Sequence, residues 1–389
     1  MKIIVALFVM LLLCCGCARI EDDVAIPEPT QPSVTEDQTK ETTECTAMIV
    51  TDPVEMLINN MTLEERVGQI FLVAVPQNEP LKAIESYHFG GLLLFGNDFT
   101  NESPESVEKK IAEYQQAAAV PMFIAVDEEG GTVCRVSSNS LFRETRFLSP
   151  RNLYEQGGCA LLIETEIEKC NLLKSVGINV NLAPVCDIST DPNAFLYKRS
   201  LGLSPEETAY AIEQMILVMD AGRIGSVMKH FPGYGNNTDT HVASAIDERT
   251  LDTLESSDLI PFRAGVAAGC EAIMVSHTIV NAFDPDSPAS LSPLVHTYLR
   301  NKMGFEGVIV TDDLGMAAVA SGYEDGEAAV KAVLAGNDLL CTGTYEKQYE
   351  AVLNAVISGE IPEERLNASV LRILRWKQHL GLLQDLIIP

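Results

Sequence analysis

The chain has 389 residues, 47% of them hydrophobic and 21% charged, with a formal net charge of −28 at pH 7. That length holds one large domain or two medium ones, and the apolar content supplies a core. The acidity excludes nucleic acid as a partner, because nothing would neutralise its phosphates, and it suits polar or neutral ligands.

Residues 1–17 have the plan of a secretory signal, with Lys2 as the leading charge, an apolar run at 3–13 and Cys14-Cys15-Gly16-Cys17 at its close. The run is too short to span a bilayer comfortably. A cysteine directly after glycine, followed by Glu21-Asp22-Asp23, resembles a bacterial lipoprotein processing site. Cys17 is then the expected lipidated first residue of an exported chain, anchored at the extracytoplasmic face of the cell membrane. Cys14 stands where that pattern usually has Leu, and a plain cleaved signal is the alternative. One cysteine bearing more than one acyl chain suffices for stable anchoring. Residues 18–51 are rich in Glu, Asp, Thr, Pro and Gln, the composition of a flexible acidic tether. Beyond the anchor, Cys45, Cys134, Cys159, Cys170, Cys186, Cys270 and Cys341 form an odd set without CxxC spacing. Unpaired thiols and no zinc site are expected.

The folded domain is expected over 52–389. Thr62-Leu63-Glu64-Glu65 predicts a helix start, with Thr62 as N-cap and Glu65 closing a capping box. Eight short apolar runs follow, at 69–75, 91–95, 122–126, 180–185, 226–228, 272–275, 308–310 and 338–341. Unbroken rather than alternating runs suit parallel strands covered on both faces. Amphipathic stretches at 103–119, 159–176, 206–221 and 346–358 lie among them, and 365–382 reads as a closing helix. This alternation predicts an α/β fold, a (β/α)8 TIM barrel forming a single catalytic domain. A doubly wound open sheet is the alternative, although no dinucleotide glycine fingerprint follows the first strand.

In a barrel, functional groups belong at the C-terminal strand ends and on the loops that follow. Six of the eight candidate strands end in polar groups. The third leads into Asp127-Glu128-Glu129-Gly130-Gly131 with Arg135 beyond, and the fourth into Asp187 with Arg199 later in its loop. The fifth opens the stretch from Lys229 to His241, too irregular for helix or strand, which holds two of the six His of the chain. Ser276-His277, Thr311-Asp312-Asp313 and Thr342 end the last three. Charges converging from different strands onto one face are an active-site pattern. No phosphate loop and no GxSxG elbow occurs. Carboxylates beside a proton donor suit acetal chemistry, which needs a nucleophile on one face and an acid at the leaving oxygen. Arg, Lys, Asp and His also bond sugar hydroxyls and acyl groups, and the set calls for no cofactor.

Lys229-His230-Phe231-Pro232-Gly233 with Asp239-Thr240-His241, Asp127 to Gly131 with Arg135, and Thr311-Asp312-Asp313-Leu314 with Met316 together resemble glycoside hydrolase family 3. Asn181-Leu182-Ala183-Pro184-Val185 with Asp187, and Arg199-Ser200, are similar to its β-N-acetylglucosaminidase branch. The resemblance covers 52–382. It implies a retaining mechanism through a covalent glycosyl-enzyme, with Asp312 rather than its neighbour Asp313 as nucleophile. It implies His241 as acid/base, with Asp239 fixing the imidazole tautomer and stabilising the imidazolium. An unperturbed imidazole titrates near pH ~6.5, which suits acid and then base work. Asp127, Arg135, Arg199, Lys229 and His230 are assigned by the same resemblance to gripping the aminosugar. Asp187 is expected to orient Arg or Lys neighbours, and His277 to be a satisfied barrel-mouth histidine. Three positions depart from the family pattern. Tyr234 stands where the loop often has His, the three residues between Gly235 and Asp239 are one fewer than in many relatives, and Glu128 occupies a position often filled by Gln.

The β-glucosidase and β-xylosidase branches often draw an acid/base from a second domain. No second-domain pattern follows here, and a His on the strand-five loop makes one unnecessary. The expected activity is therefore that of a monomeric exo-β-N-acetylglucosaminidase. It would remove terminal β-linked N-acetylglucosamine from the non-reducing end of peptidoglycan-derived or chitin-type oligosaccharides. The alternatives are a family 3 β-glucosidase or β-xylosidase, a phosphorylase of β-N-acetylglucosaminides, and a non-catalytic sugar-binding lipoprotein.

Overall fold

The computed structural model describes residues 52–387 apart from 242 and 243. The expected signal at 1–17, the lipidation site Cys17, the tether at 18–51 and Cys45 lie outside the described residues, as does the end of the chain at 388–389. Eight parallel strands form one sheet: β1 (Phe71–Ala74), β2 (Gly91–Leu94), β3 (Phe123–Val126), β4 (Val180–Asn181), β5 (Gly225–Phe231), β6 (Ala272–Val275), β7 (Val308–Thr311) and β8 (Leu340–Thr342). From β1 to β7 each strand pairs with the next, and β8 pairs with β1. A parallel bridge between Val310 and Leu339, with Thr311 N–H donating to Leu339 C=O at 3.0 Å, joins β7 to the approach to β8. The sheet is a nearly closed (β/α)8 barrel, as the strand–helix alternation predicts.

All eight strands lie at the expected apolar runs, and the differences in length have local causes. β4 ends at Asn181 instead of reaching Val185, because the Ala183 N–H turns back to Asn181 C=O at 2.8 Å and leaves the ladder. β5 is longer than 226–228 and takes in Lys229, His230 and Phe231 as buried strand residues. The stretch expected to be irregular throughout is therefore a strand for its first three positions. Two basic residues end an apolar run by composition, but here carboxylates inside the barrel mouth receive them.

Helices cover the outer face. Thr62 and Glu65 make the reciprocal capping box that starts Leu63–Gln69. The stretch at 159–176 is part of a longer element, Pro150–Ser175, capped by Ser149 and interrupted at Gly158, where φ is +62°. Cys134, Cys159, Cys170, Cys186, Cys270 and Cys341 are free thiols.

The closing helix, Glu363–His379, seals the N-terminal end of the barrel. Asp338, just before β8, gathers Arg300, Arg365 and Arg372 there, and its Oδ2 also accepts Ile309 N–H at 3.0 Å. On the same helix Lys377 is wholly buried, with Nζ donating to Gln69 Oε1 at 2.7 Å and lying 5.2 Å from the centroid of Phe123. Burial without a carboxylate pushes its ammonium down to about 7. Below that pH, folded and unfolded chains both hold the proton and the buried charge exerts its full cost. Between about 7 and ~10, the ordinary lysine value, only the unfolded chain holds it, so folding stability rises with pH. We predict that wild type gains stability relative to Lys377→Met as pH is raised across that window. Denaturant unfolding of both proteins at each pH checks it, and a constant difference between them would show that Lys377 does not titrate there.

Candidate active site

The β3–α loop supplies the first carboxylates. Side chains alternate along an extended chain, so Asp127 and Glu129 share one side and Glu128 takes the other. Glu128 is fully buried and faces the loop itself. Its Oε2 accepts N–H from Arg135 and Val136, both at 2.8 Å, and its Oε1 accepts the N–H and hydroxyl of Ser137. Four donors converge on two oxygens, which a glutamine, with one oxygen, would not satisfy. Gly130, at φ +102°, lets the chain turn back, since a Cβ there would lie 2.3 Å from Leu148 O.

Glu129 is the hub of a buried ion cluster. Arg199 grips it with two parallel bonds, Nε–Oε2 at 2.9 Å and Nη2–Oε1 at 2.7 Å. Lys229, from β5, reaches Glu129 Oε1 at 2.7 Å and Asp127 Oδ1 at 2.6 Å, and Arg135 lies 3.6 Å from Asp127 Oδ2. Burial alone would protonate Glu129, but Arg199 and Lys229 outweigh it and hold the carboxyl well below its usual range. Burial likewise opposes the Lys229 ammonium, and Asp127 and Glu129 overcome it and raise its pKa.

His230, next on β5, sits between Arg199 and Asp187. The guanidinium of Arg199 can only donate, so at 3.2 Å the imidazole Nε2 accepts, and Nδ1–H donates to Asp187 Oδ2 at 2.7 Å. Asp187 also accepts the backbone N–H of His230 at 3.0 Å and of Tyr234 at 2.8 Å. Its expected partners, Arg or Lys, are thus replaced by a histidine and two amides. The Val185–Lys229 bridge explains this, because it sets Asp187 beside the residue after Lys229.

Asp312 follows β7, and its N–H donates to Val275 C=O at 3.0 Å. Burial raises its pKa, but the imidazoles of His277 and His230 and the Asp313 N–H outweigh that, leaving the carboxyl below its usual value. Asp313 is pushed the other way, by burial and by the charge of Asp312, against the N–H of Gly315. The two neighbours are therefore unlike, and Asp312 holds its charge the more readily. Both ring nitrogens of His277 are engaged, with Ser290 Oγ at 2.7 Å and Asp313 C=O at 2.9 Å. Asp239 and His241 lie on the loop beyond β5, with His241 Nδ1 2.7 Å from Asp239 Oδ1. Their side chains are 29% and 57% exposed, so this pair opens to solvent.

Asp127, Arg135, Arg199, Lys229, His230, Asp239, His241 and Asp312 all line one cavity of about 530 Å³ at the C-terminal mouth of the barrel. Its walls add Leu93, Leu182, Met274 and Cys341, with Phe95 and Phe195 beneath the guanidiniums of Arg135 and Arg199. Charged and polar groups thus converge on this cavity from several strand ends, with apolar side chains between them. Glu129 is the site residue that reading by motif missed, and the alternation of side chains from Asp127 would have found it. Among the described residues no group of three or more His, Cys, Asp or Glu is placed to hold a metal ion.

Replacing Glu129 by Gln would leave Arg199 and Lys229 buried with too little negative charge. Breaking a buried pair of this kind costs about 3–5 kcal/mol. We predict a loss of that order for Glu129→Gln in denaturant unfolding at neutral pH. A loss below about 1 kcal/mol, the level of an exposed pair, would mean that Asp127 alone balances the cluster.

Residues 62–376 match the sequence family described as the glycosyl hydrolase family 3 N-terminal domain. A protein named beta-hexosaminidase from Xylella fastidiosa (strain M12) is 33% identical over 237 residues, covering 59% of this chain and 68% of its own. A solved structure of a glycoside hydrolase family 3 beta-N-acetylglucosaminidase from Paenibacillus sp. str. FPU-7 superposes with a TM-score of 0.78 at 34% identity. That likeness covers 83% of this chain, which spans 63% of the length of the Paenibacillus chain. A beta-N-acetylhexosaminidase from Beutenbergia cavernae DSM 12333 superposes with a TM-score of 0.73 at 26% identity, over 82% of this chain and 99% of that one. The barrel, its mouth and these likenesses agree: the chain belongs to glycosyl hydrolase family 3.

Proposed function

We propose that the chain is a retaining exo-β-N-acetylhexosaminidase acting on terminal β-linked N-acetylglucosamine of peptidoglycan-derived or chitin-type oligosaccharides. The observation that carries this reading is one cavity holding Asp312, whose carboxyl lies below its usual pKa, and a solvent-facing His241 oriented by Asp239. The likeness to a beta-hexosaminidase and a beta-N-acetylglucosaminidase supports the aminosugar.

In the first step a carboxylate oxygen of Asp312 bonds to the anomeric carbon as the glycosidic C–O bond breaks. The electron pair of that bond stays on the leaving oxygen, which takes the proton from Nε2 of His241. Asp239, at Nδ1, stabilises the imidazolium beforehand and holds the ring for transfer. In the second step water attacks the anomeric carbon, its proton passes to Nε2 of His241, and the sugar–Asp312 bond breaks to restore the carboxylate. Two inversions give retention. Asp127, Arg135, Arg199, Lys229 and His230 grip the sugar, their charges already paired and oriented before it arrives.

The test is hydrolysis of a chromogenic aryl β-N-acetylglucosaminide. We expect Asp312→Ala to lower kcat/KM by about 10⁴-fold or more, as loss of a covalent nucleophile does. His241→Ala should lower it by about 10²–10⁴-fold, the share of a general acid. A 2-fluoro glycoside should leave an adduct on Asp312 detectable by mass spectrometry. Full activity of Asp312→Ala, or no adduct, refutes the mechanism, and a sugar 1-phosphate product in phosphate buffer would replace hydrolysis by phosphorolysis.

We also propose that the chain is exported and lipid-anchored through Cys17, with 18–51 as the spacer that lets the barrel reach oligosaccharides at the extracytoplasmic face. The Gly16-Cys17 junction after an apolar run supports this. Cys17→Ser should move activity from the membrane fraction to the soluble one. Retention in the membrane fraction would rule out this anchor.

A further inference from the structure

Two departures from the family pattern, Tyr at position 234 and the short run from Gly235 to Asp239, meet in one contact. The hydroxyl of Tyr234 is hydrogen-bonded to Oγ1 of Thr240, the residue between Asp239 and His241. Over 236–241 Thr240 is the one buried residue, whereas Asp239 is partly and His241 largely exposed. Its C=O accepts Ala318 N–H at 3.3 Å, from the segment that follows Asp312 and Asp313. Tyr234 is 1% exposed and itself rigidly held. Its N–H donates to Asp187 Oδ1, and its ring lies edge-on to His230, centroids 5.4 Å apart. At the loop's other end Asn236 Oδ1 accepts the N–H groups of Thr190 and Asp191 at 3.0 and 3.1 Å.

We infer that Tyr234 and Thr240 form a latch that sets Asp239 and His241 over the cavity in the position from which the proton is transferred. Both are positioning residues; neither touches the reacting atoms. The physical ground is that a buried phenol hydroxyl needs a partner, and Thr240 is the partner it has. Because Thr240 is flanked by the proton-transfer pair, any shift of its hydroxyl moves both side chains. Asp187 then serves both halves of the site: it orients His230 in the sugar grip and, through Tyr234, the acid/base loop.

This inference rests on His241 being the acid/base, and leaving-group dependence separates the two. Protonation of the leaving oxygen matters for an alkyl or sugar aglycone and little for 2,4-dinitrophenolate, and kcat/KM reports that first step. A mispositioned acid should therefore cost about 10- to 100-fold on chitobiose and less than about threefold on the dinitrophenyl glycoside. We expect that pattern for Tyr234→Phe and for Thr240→Val, with melting temperatures close to wild type. The double variant should lose no more than either single one, because one contact is removed each time. Thr240→Ser, which keeps the hydroxyl, should retain activity on chitobiose. Equal losses on both substrates, additive losses, or wild-type activity on chitobiose overturn the latch. If His241→Ala itself shows no leaving-group dependence, the acid/base reading fails instead. Should Tyr234→Phe not fold, Thr240→Val and Thr240→Ser decide the matter alone.

Discussion

Lys229 lodged between Asp127 and Glu129, with Arg199 doubly bonded to Glu129, is the interaction on which the rest of the site depends. It ties together β5, the loop after β3 and the loop after β4, three segments that meet only at the barrel mouth. A cluster of buried charges is a poor device for stability, since well-packed apolar groups of the same size do as well or better. Its presence is explained by what it offers a ligand. In the proposed function, paired and preoriented donors and acceptors would meet sugar hydroxyls without reorganising, and the pairing keeps every charge tolerable while the cavity is empty. The N-terminal end of the barrel shows the contrasting case. There Asp338 gathers three arginines from surrounding elements, lines no part of the mouth, and serves to fasten the closing helix.

The mouth divides its work by rigidity. Groups proposed to hold sugar come from strand ends or loops bound directly to them, and Asp312 sits one residue past β7 with its carboxyl held below its usual pKa. The pair proposed to move the proton, Asp239 and His241, sits on a loop and is open to solvent, as proton exchange with water requires in the proposed second step. The link between the two sets is a short run of contacts from Asp187 to His230 and Tyr234, and from Tyr234 to Thr240. A barrel built for different chemistries needs such a run, because its strands fix one set of groups and leave the other to loop length and loop anchoring.

Much of this was legible in the chain itself, for reasons that can be stated residue by residue. Unbroken apolar runs located all eight strands, because strands buried on both faces tolerate no polar alternation. Thr62 and Glu65 located a helix start, because unsatisfied N–H groups at a helix end select those side chains. The clustering of Asp127, Arg199, Lys229, His230, Asp239, His241 and Asp312 near strand ends followed from the barrel's own rule of where function sits. What composition reads wrongly is the point where a rule about solvent meets an interior that is itself polar. Lys229 and His230 ended an apolar run on paper and are strand residues in the fold.

The sequence by itself therefore determined the barrel, from local periodicity and strand–loop alternation, and most of the side chains at its mouth, from strand-end position and family resemblance. Only the tertiary structure decided which of those side chains pair. Glu129, not Asp127 alone, is the hub; Asp187 holds a histidine rather than an arginine; Glu128 builds its own loop. Pairing depends on register between strands and on distances of a few tenths of an ångström, which no one-dimensional pattern encodes. The same holds for Tyr234 and Thr240. Six positions apart in the chain, they look like an odd aromatic and an ordinary turn residue until the fold joins their hydroxyls.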